Sequence, residues 1–191
     1  MSLKLHYYLR QQTTLDEEQL DKVIACFRPT SVPANTLLLA QGQTARALYF
    51  VHTGCVRSYY LTQAGHEKTR YIAFEDSIIT SLASFIAQRP SFEFVDTVED
   101  ATLYAITHHD FFRLVAELPA WEKFYRTLLE TAYVYQNRKI EDLVTLSAQQ
   151  RFEQVRKHQP QYVQRLSNRL LASYLDIRPE TLSRAKSKKR F

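Results

Sequence analysis

The sequence predicts an α+β protein built from an N-terminal antiparallel β-roll, a long helix and a C-terminal helix-turn-helix. Between Val32 and about Leu103, short runs rich in β-branched and aromatic residues alternate with turn signals, a pattern typical of antiparallel rolls and barrels. From Ala120 no proline or glycine occurs before Pro160, so helix is permitted throughout. Two short amphipathic segments then follow on either side of a break at residues 176–178.

A first helix precedes the strands. Thr14 and Glu17 form a T-x-x-E pattern, which predicts a capping box at a helix N-terminus. The apolar residues that follow at i, i+3, i+4 and i+7 are Leu20, Val23, Ile24 and Phe27. This spacing predicts an amphipathic helix that ends before Pro29.

The roll is predicted from short apolar runs and from the glycines between them. The predicted strands are 37–39, 48–51, 56–61, 69–74, 94–98 and 102–106. The three glycines, Gly42, Gly54 and Gly65, fall between strands, where turns need positive φ. A short helix capped by Asp110 is predicted next, and it ends before Pro119.

The long helix carries an apolar stripe. Steps of four and three residues, typical of a coiled-coil seam, join Leu129, Tyr133, Gln136, Ile140 and Leu143, and Phe124 and Leu128 extend this face. We predict that the stripe pairs with the same helix of a second copy; packing on the roll is the alternative. Ser147 and Gln150 form another capping box, so a new helix is expected there.

The C-terminal segment reads as a helix-turn-helix. Ser167 is a potential N-cap for a helix over residues 168–175, and Pro179 suits the first turn of a second helix. Leu182 and Ala185 give the second helix an inner face. The polar and basic residues predicted to face outward are Thr181, Ser183, Arg184, Lys186 and Lys188. Such a face can contact bases and phosphates in a major groove; an ordinary surface helix pair remains the alternative.

The charge distribution points to the same segment. From Arg165 to Phe191 there are eight basic and two acidic residues, a net charge of +6. The whole chain carries +5, so the remainder carries −1. Concentration of the excess positive charge on one helical unit favours a polyanionic partner, and nucleic acid fits best.

Two stretches resemble known families. The run ASYLDIRPETLSRAKSK, which follows LVTLSAQQRFEQV, resembles the C-terminal end of Crp/Fnr-type bacterial transcription regulators. The segments LLLAQG, LYFVHTGCVRSYY and GHEKTRYIAF resemble the jelly-roll-like β-roll of the cyclic-nucleotide-binding domain. The resemblance implies a winged-helix-like domain, with the wing reduced or absent because little chain follows the second helix.

The resemblance also implies DNA-contacting residues. It places Glu180, Thr181, Ser183 and Arg184 at base-reading and phosphate-contacting positions of a recognition helix over 179–188. Arg178 stands where the family often has a capping Thr, so we expect it to reach a DNA phosphate or to remain solvated. The full candidate set is Ser167, Arg169, Arg178, Glu180, Thr181, Ser183, Arg184, Lys186 and Lys188.

The effector site of the roll departs from the family pattern. Cyclic-nucleotide binders of this fold carry a Gly-Glu pair and, shortly after, an Arg-Ser pair; here Glu75 and Asp76 lack the Gly, and Pro90-Ser91 replaces Arg-Ser. Loss of the phosphate-pairing cation disfavours cyclic nucleotides, although Arg89 could take a shifted role. The candidate pocket residues are Glu75, Asp76, Ser84, Arg89 and Ser91. No cofactor is expected.

Other classes of function lack their signatures. The two cysteines, Cys26 and Cys55, are isolated, so free thiols are expected and an iron–sulfur cluster is not. The spread of His52, His66, His108 and His109 does not match a metal motif, and no Walker loop, nucleophile elbow or H-E-x-x-H run occurs. The lack of these catalytic motifs predicts that the protein is not an enzyme. No membrane span or signal peptide is apparent, which predicts a cytoplasmic protein.

These observations predict a homodimeric regulator that reads a palindromic operator. The expected domains are a β-roll sensor over 1–118, a dimerisation helix over 119–146 and a DNA-binding domain over 147–191. Expected partners are double-stranded DNA, a second copy and RNA polymerase, with a small-molecule effector in the roll left open. Two alternatives remain: a cyclic-nucleotide-binding module or ligand sensor without a DNA role, and a β-barrel metalloenzyme.

Overall fold

The computed structural model describes residues 3–187, which form two compact units. Residues 3–60 and 71–129 make up the first unit, and residues 61–70 and 130–187 the second. The division in the helical part falls between Leu129 and Glu130. The division predicted from function, at 118/119 and 146/147, stays a prediction.

Two helices open the first unit: α1 (Leu3–Gln12) and α2 (Glu17–Ile24). Leu5, Leu9 and Leu20 of these helices are fully buried. The sequence did not predict α1, and the predicted capping box was displaced by two residues. The cap of α2 is Asp16, whose carboxylate accepts a hydrogen bond from the backbone N–H of Gln19 at 2.9 Å. The carboxylate of Asp16 therefore takes the capping role that was expected of the Thr14 hydroxyl.

Eight strands follow: β1 (Arg28–Val32), β2 (Leu37–Leu39), β3 (Ala47–Thr53), β4 (Val56–Leu61), β5 (Glu67–Ala73), β6 (Ser77–Ile79), β7 (Phe94–Thr97) and β8 (Ala101–Thr107). They form two four-stranded sheets with orders β1-β8-β3-β6 and β2-β7-β4-β5. The pairs β1–β8, β3–β8, β3–β6, β2–β7 and β4–β7 are antiparallel. The predicted antiparallel roll is confirmed, with two strands, β1 and β6, added.

The core of the roll comes from the inward residues of both sheets. Phe50 and Leu103 of the first sheet and Val56 and Val95 of the second sheet are buried. At the turn between β3 and β4, Gly54 adopts φ +91°, and a Cβ atom there would lie 2.4 Å from the carbonyl oxygen of Asp100. Only glycine satisfies both the backbone conformation and the close approach at this corner.

Three helices accompany the strands. Helix α3 (Leu82–Ala87) lies between β6 and β7 in the chain, and α4 (His108–Glu117) and α5 (Pro119–Thr145) follow β8. The hydroxyl of Thr107 caps α4 by accepting from the N–H of Asp110, so the predicted cap at Asp110 was three residues late. As predicted, α4 ends before Pro119, and Pro119 begins the next helix, as proline can at a first helical position. The ring centroids of Phe111 and Trp121, and of Trp121 and Phe124, lie 5.4 and 4.7 Å apart in a buried aromatic cluster.

The second unit contains the C-terminal part of α5 and four short helices: α6 (Ala148–His158), α7 (Pro160–Arg165), α8 (Asn168–Leu175) and α9 (Pro179–Ser187). The predicted capping box of Ser147 and Gln150 begins α6. The small core of this unit includes Phe152, Tyr162, Leu166, Leu171 and Leu182. Helix α7 was not predicted. None of the helices within residues 3–187 combines the length and the hydropathy needed to cross a bilayer.

Residues 61–70 are here called the hairpin tip. They comprise the turn between β4 and β5 together with the adjoining ends of both strands. The backbone N–H of Gly65 donates to the carbonyl of Thr62 at 2.9 Å, and the N–H of Thr62 donates to the carbonyl of His66 at 2.9 Å. Gly65 has φ +76°, as the turn requires. The tip thus belongs to a β-hairpin by sequence and to the helical unit by its contacts.

Candidate nucleic-acid interface

The backbone of α8, its turn and α9 follows the local signals of the sequence. The hydroxyl of Ser167 accepts from the N–H of Leu170 at 3.2 Å and caps α8. Asp176 ends the helix with φ 54° and ψ 48°, and the N–H of Ile177 donates to the carbonyl of Ala172 at 3.0 Å. This left-handed closure lets the chain reverse within three residues, after which Pro179 starts α9.

Small and apolar residues hold the two helices together. Ala172 of α8 and Ala185 of α9 are buried, as are Leu171 and Leu182. Because alanine has only a methyl side chain, two helices that meet at alanine positions can approach closely. One side of α9 is therefore fixed against its own unit, and the other side is left for solvent or a ligand.

The outer side of α9 carries the residues that the sequence predicted. Glu180, Ser183 and Arg184 are exposed, and Thr181 is half-buried. Arg178 is exposed at the start of the helix, where its carbonyl accepts from the N–H of Leu182 at 3.1 Å. Within residues 3–187, the side chains of Glu180 and Arg184 make no hydrogen bond or ion pair. Their polar groups are available to an external partner.

Other predicted contact residues are engaged within the unit. The ammonium group of Lys186 donates to the side-chain oxygen of Asn168 at 2.5 Å, which joins α9 to the N-terminus of α8. Arg169 lies 3.8 Å from the carboxylate of Glu67, although its side chain is 84% exposed. The hydroxyl of Ser167 is used as the helix cap. Lys188 lies outside the described residues.

The hairpin tip binds α8 through a dense set of polar contacts that the sequence did not predict. The Ser173 hydroxyl lies 2.9 Å from the Thr69 hydroxyl, accepts from the N–H of Thr69 at 2.9 Å and donates to the carbonyl of Glu67 at 2.9 Å. Lys68 forms an ion pair with Asp176. The only sequence signal is the run of charged residues at the tip, which gives no indication of its partner.

Lys139 of α5 lies beneath the same contacts. Its ammonium nitrogen donates to the carbonyls of Thr69 and Arg70 at 2.9 and 2.8 Å and lies 3.9 Å from the centre of the Tyr174 ring. Burial and the nearby charge of Arg70 lower the pKa of Lys139 to about 7, and Asp176 acts in the opposite direction. A lysine of α5 whose pKa lies well below its ordinary value therefore contacts both α8 and the hairpin tip.

The predicted effector residues of the roll have structural contacts of their own. The Glu75 carboxylate accepts from the N–H of Gly54 at 2.9 Å, and Asp76 is exposed at a turn with φ 59°. The buried Ser84 hydroxyl accepts from the N–H of Ala45, and the buried Ser91 hydroxyl contacts the hydroxyl of Ser81 at 2.8 Å.

The side chain of Arg89 is exposed, and its carbonyl accepts from the Ser84 hydroxyl at 2.5 Å. No described group of three or more His, Cys, Asp or Glu residues is arranged to hold a metal ion.

The apolar stripe of α5 is exposed, but its members differ from those predicted. Phe124 is buried and Leu128 half-buried against the core of the first unit, because α5 packs on the aromatic cluster there. The predicted Leu129 is half-buried, and the predicted Gln136 is exposed. The large apolar side chains left exposed are Tyr133, Val134, Ile140, Leu143 and Val144. The exposed stripe thus begins at Tyr133.

Comparison with known families agrees with this architecture. Residues 29–117 match the family model described as the cyclic nucleotide-binding domain. No curated protein matches the chain.

Solved structures are similar over most of the chain. The c-di-GMP responsive global regulator CLP of Xanthomonas campestris is 18% identical with a TM-score of 0.73, covering 91% of each chain. FixK2 of Bradyrhizobium japonicum is 17% identical with a TM-score of 0.73, covering 85% of this chain and 83% of FixK2.

The catabolite activator protein of Thermus thermophilus is 22% identical with a TM-score of 0.60, covering 92% of this chain and 84% of that protein. A protein of Eubacterium rectale described as a transcriptional regulator of the Crp/Fnr family is 18% identical with a TM-score of 0.73, covering 94% of this chain and 85% of that chain. At these identities, the similarity shows a shared fold: a cyclic-nucleotide-binding-type roll followed by helices.

Proposed function

We propose that this chain is a sequence-specific DNA-binding transcription regulator that acts as a homodimer and not as an enzyme. The observation that carries the proposal is the outer face of α9. Glu180, Ser183 and Arg184 project there from a helix whose other side is packed against α8. The similarity of the fold to that of transcription regulators supports this proposal.

The chemistry of α9 suits a major groove. The guanidinium of Arg184 can donate two parallel hydrogen bonds to O6 and N7 of a guanine, and the carboxylate of Glu180 can accept from the amino group of a cytosine. These side chains lie four residues apart, so they project from the same side of the helix. Arg178, at the start of α9, would contact a phosphate, which would position the helix without reading sequence.

The exposed stripe of α5 supports the homodimer. Tyr133 is 70% exposed, Ile140 59% and Val144 79%. Steps of seven and four residues keep them on one face of the helix, and an apolar face of this kind is usually covered in the working protein. Two such helices packed around a two-fold axis would present two copies of α9. Successive major grooves on one side of DNA lie ~34 Å apart, so a palindromic operator is expected.

The test is in vitro selection of duplexes from a random pool. The wild-type protein should enrich a palindromic site, and Arg184→Ala should lose discrimination at one base pair of each half-site, about 1–3 kcal/mol. Arg126→Ala is the matched control, because Arg126 is an exposed arginine on α5 that pairs with Glu122. Unchanged site preference in Arg184→Ala would refute the assignment of the reading face.

An effector in the roll is a second candidate function, favoured by the family match over residues 29–117. The neighbour CLP is described as responsive to c-di-GMP. Calorimetric titration with cyclic AMP, cyclic GMP and cyclic di-GMP tests this function directly. Pro90 stands where cyclic-nucleotide binders have the arginine that pairs with the phosphate. We therefore expect no tight binding of cyclic AMP or cyclic GMP. Contact with RNA polymerase stays a prediction.

A further inference from the structure

A cleft in the second unit contains an excess of positive charge. It has a volume of about 380 Å³ and is walled by the C-terminal half of α5, by α6 and by the end of α8. Its charged and titratable lining residues are Arg138, Lys139, Arg151, His158 and a single acid, Asp142. The volume falls within the range of sites for small molecules.

Within residues 3–187, Arg138, Lys139 and Arg151 form no ion pair with a carboxylate. Arg151 donates from Nε to the carbonyl of Leu175 at 3.1 Å and from Nη1 to the carbonyl of Leu146 at 2.7 Å. Lys139 donates to two backbone carbonyls and faces an aromatic ring. For Arg138, no hydrogen bond or ion pair joins its side chain to the rest of residues 3–187.

Three arginines outside the cleft pair with carboxylates. Arg57 forms an ion pair with Asp96, Arg126 with Glu122 and Arg156 with Glu153. In the cleft, by contrast, N–H groups remain unused. A guanidinium has five N–H donors and Arg151 uses two, and an ammonium has three and Lys139 uses two. The pKa of Lys139 is lowered first by burial and then by the charge of Arg70, which lies outside the cleft.

The cations of the cleft lie away from the two surfaces used by the proposed regulator. At 3.6 residues per turn, Lys139 and Asp142 lie on the side of α5 opposite to Tyr133 and Val144. Leu143 belongs to the apolar stripe and also lines the cleft, so the two surfaces share one edge. None of the residues that line the cleft belongs to α9.

We propose that this cleft binds a small anionic molecule through a phosphate or carboxylate group held by Arg138, Lys139 and Arg151. The oxygens of such a group would accept hydrogen bonds from the unused N–H groups, and its negative charge would offset the repulsion among the cations. Because its walls are α5, α6 and α8, a bound anion would link helices of the unit that carries α9. The site lies outside the roll, so it is distinct from any effector site there. The anion is expected to bind whether or not the protein is bound to DNA.

The test is calorimetric titration of the full chain with sulfate at about pH 6, where Lys139 is charged. Sulfate is exchanged for chloride at constant ionic strength, and inorganic phosphate is the competing probe. We expect saturable binding of one anion per chain. Arg138→Gln and Lys139→Met should each weaken binding about tenfold or more, the loss of one charge-assisted contact.

Lys157→Gln is the matched control, since Lys157 is an exposed cation on α6 that does not line the cleft. Equal weakening in Lys157→Gln, or full affinity in Arg138→Gln, would overturn the proposal. Displacement of sulfate by a short duplex of unrelated sequence would also overturn it, because the cleft would then be part of the DNA surface. Arg184→Ala should bind sulfate as the wild type does, which separates this test from that of the DNA-binding function.

Discussion

Replacing Lys139 with methionine should remove a specific pH dependence of stability. The pKa of Lys139 is about 7 in the folded protein and 10.5 as its ordinary value. The unfolded chain therefore binds more protons between these two values, and the free energy of unfolding rises with pH across that window. The contribution is fully present above the ordinary pKa and is lost as the pH falls through the folded value. Methionine has no titrating group and should lack this slope.

The magnitude follows from the two pKa values. The slope reaches at most about 1.4 kcal/mol per pH unit. Raising the pH from about 7 to about 9 should stabilise the wild type relative to Lys139→Met by about 2 kcal/mol, or about 1 kcal/mol after allowance for partial exposure of the side chain. A neutral amine still has two N–H groups, enough for the carbonyls of Thr69 and Arg70. Deprotonation therefore leaves both hydrogen bonds in place.

Urea unfolding at a series of pH values measures the effect. The difference in unfolding free energy between wild type and Lys139→Met cancels the titration of all other groups. The hydrogen bonds lost in the variant shift this difference by a constant and leave its slope unchanged. A difference that stays flat between about pH 7 and about pH 9 would refute the placement of a desolvated amine beneath the hairpin tip.

Three further predictions use other parts of the structure. Gly54→Ala should destabilise the protein by about 2–4 kcal/mol in thermal or urea unfolding, because the backbone must shift, whereas Gly65→Ala, with nothing within 4 Å, should cost about 1–2 kcal/mol. Ser173→Ala should cost about 1–3 kcal/mol by the same measurement, since it leaves hairpin-tip groups without partners. Ile140→Asp should separate the dimer into monomers and so halve the mass measured by analytical ultracentrifugation. Thr131→Asp, on the opposite side of α5, should leave the mass unchanged. Equal masses for the two variants would contradict the dimer.

The sequence predicted well the parts of the fold that are determined by neighbours in the chain. The bounds of α8 follow from the capping hydroxyl of Ser167 at one end and from Asp176 and Pro179 at the other. These residues act on backbone groups within a few positions, so local patterns suffice. The exposed face of α9 follows in turn from the inward Leu182. The two helices α8 and α9 and the turn between them could therefore be derived from a short stretch.

Local patterns failed where partners distant in sequence decide the structure. β1 contains Pro29, which argues against a strand, but β1 is at the edge of its sheet, where a missing N–H is tolerated. Phe124 continues the apolar spacing of α5, yet the aromatic cluster of the first unit buries it. Thr69 and Ser173 are 104 residues apart, and no spacing rule relates them. Arg138 and Lys139 lie on α5 and Arg151 lies on α6, so only the folded chain reveals that they line one cleft.

The way the hairpin tip completes the helical unit limits how this protein can be dissected. A fragment that begins at Glu130 would lack the carbonyls that accept from Lys139 and the groups that bond to Ser173. Because residues 61–70 are internal to a β-hairpin, no single truncation can supply them with the C-terminal helices. Isolated C-terminal fragments should therefore fold poorly, whereas a fusion that grafts the tip as a closed loop onto residues 130–191 offers a route to a self-sufficient fragment.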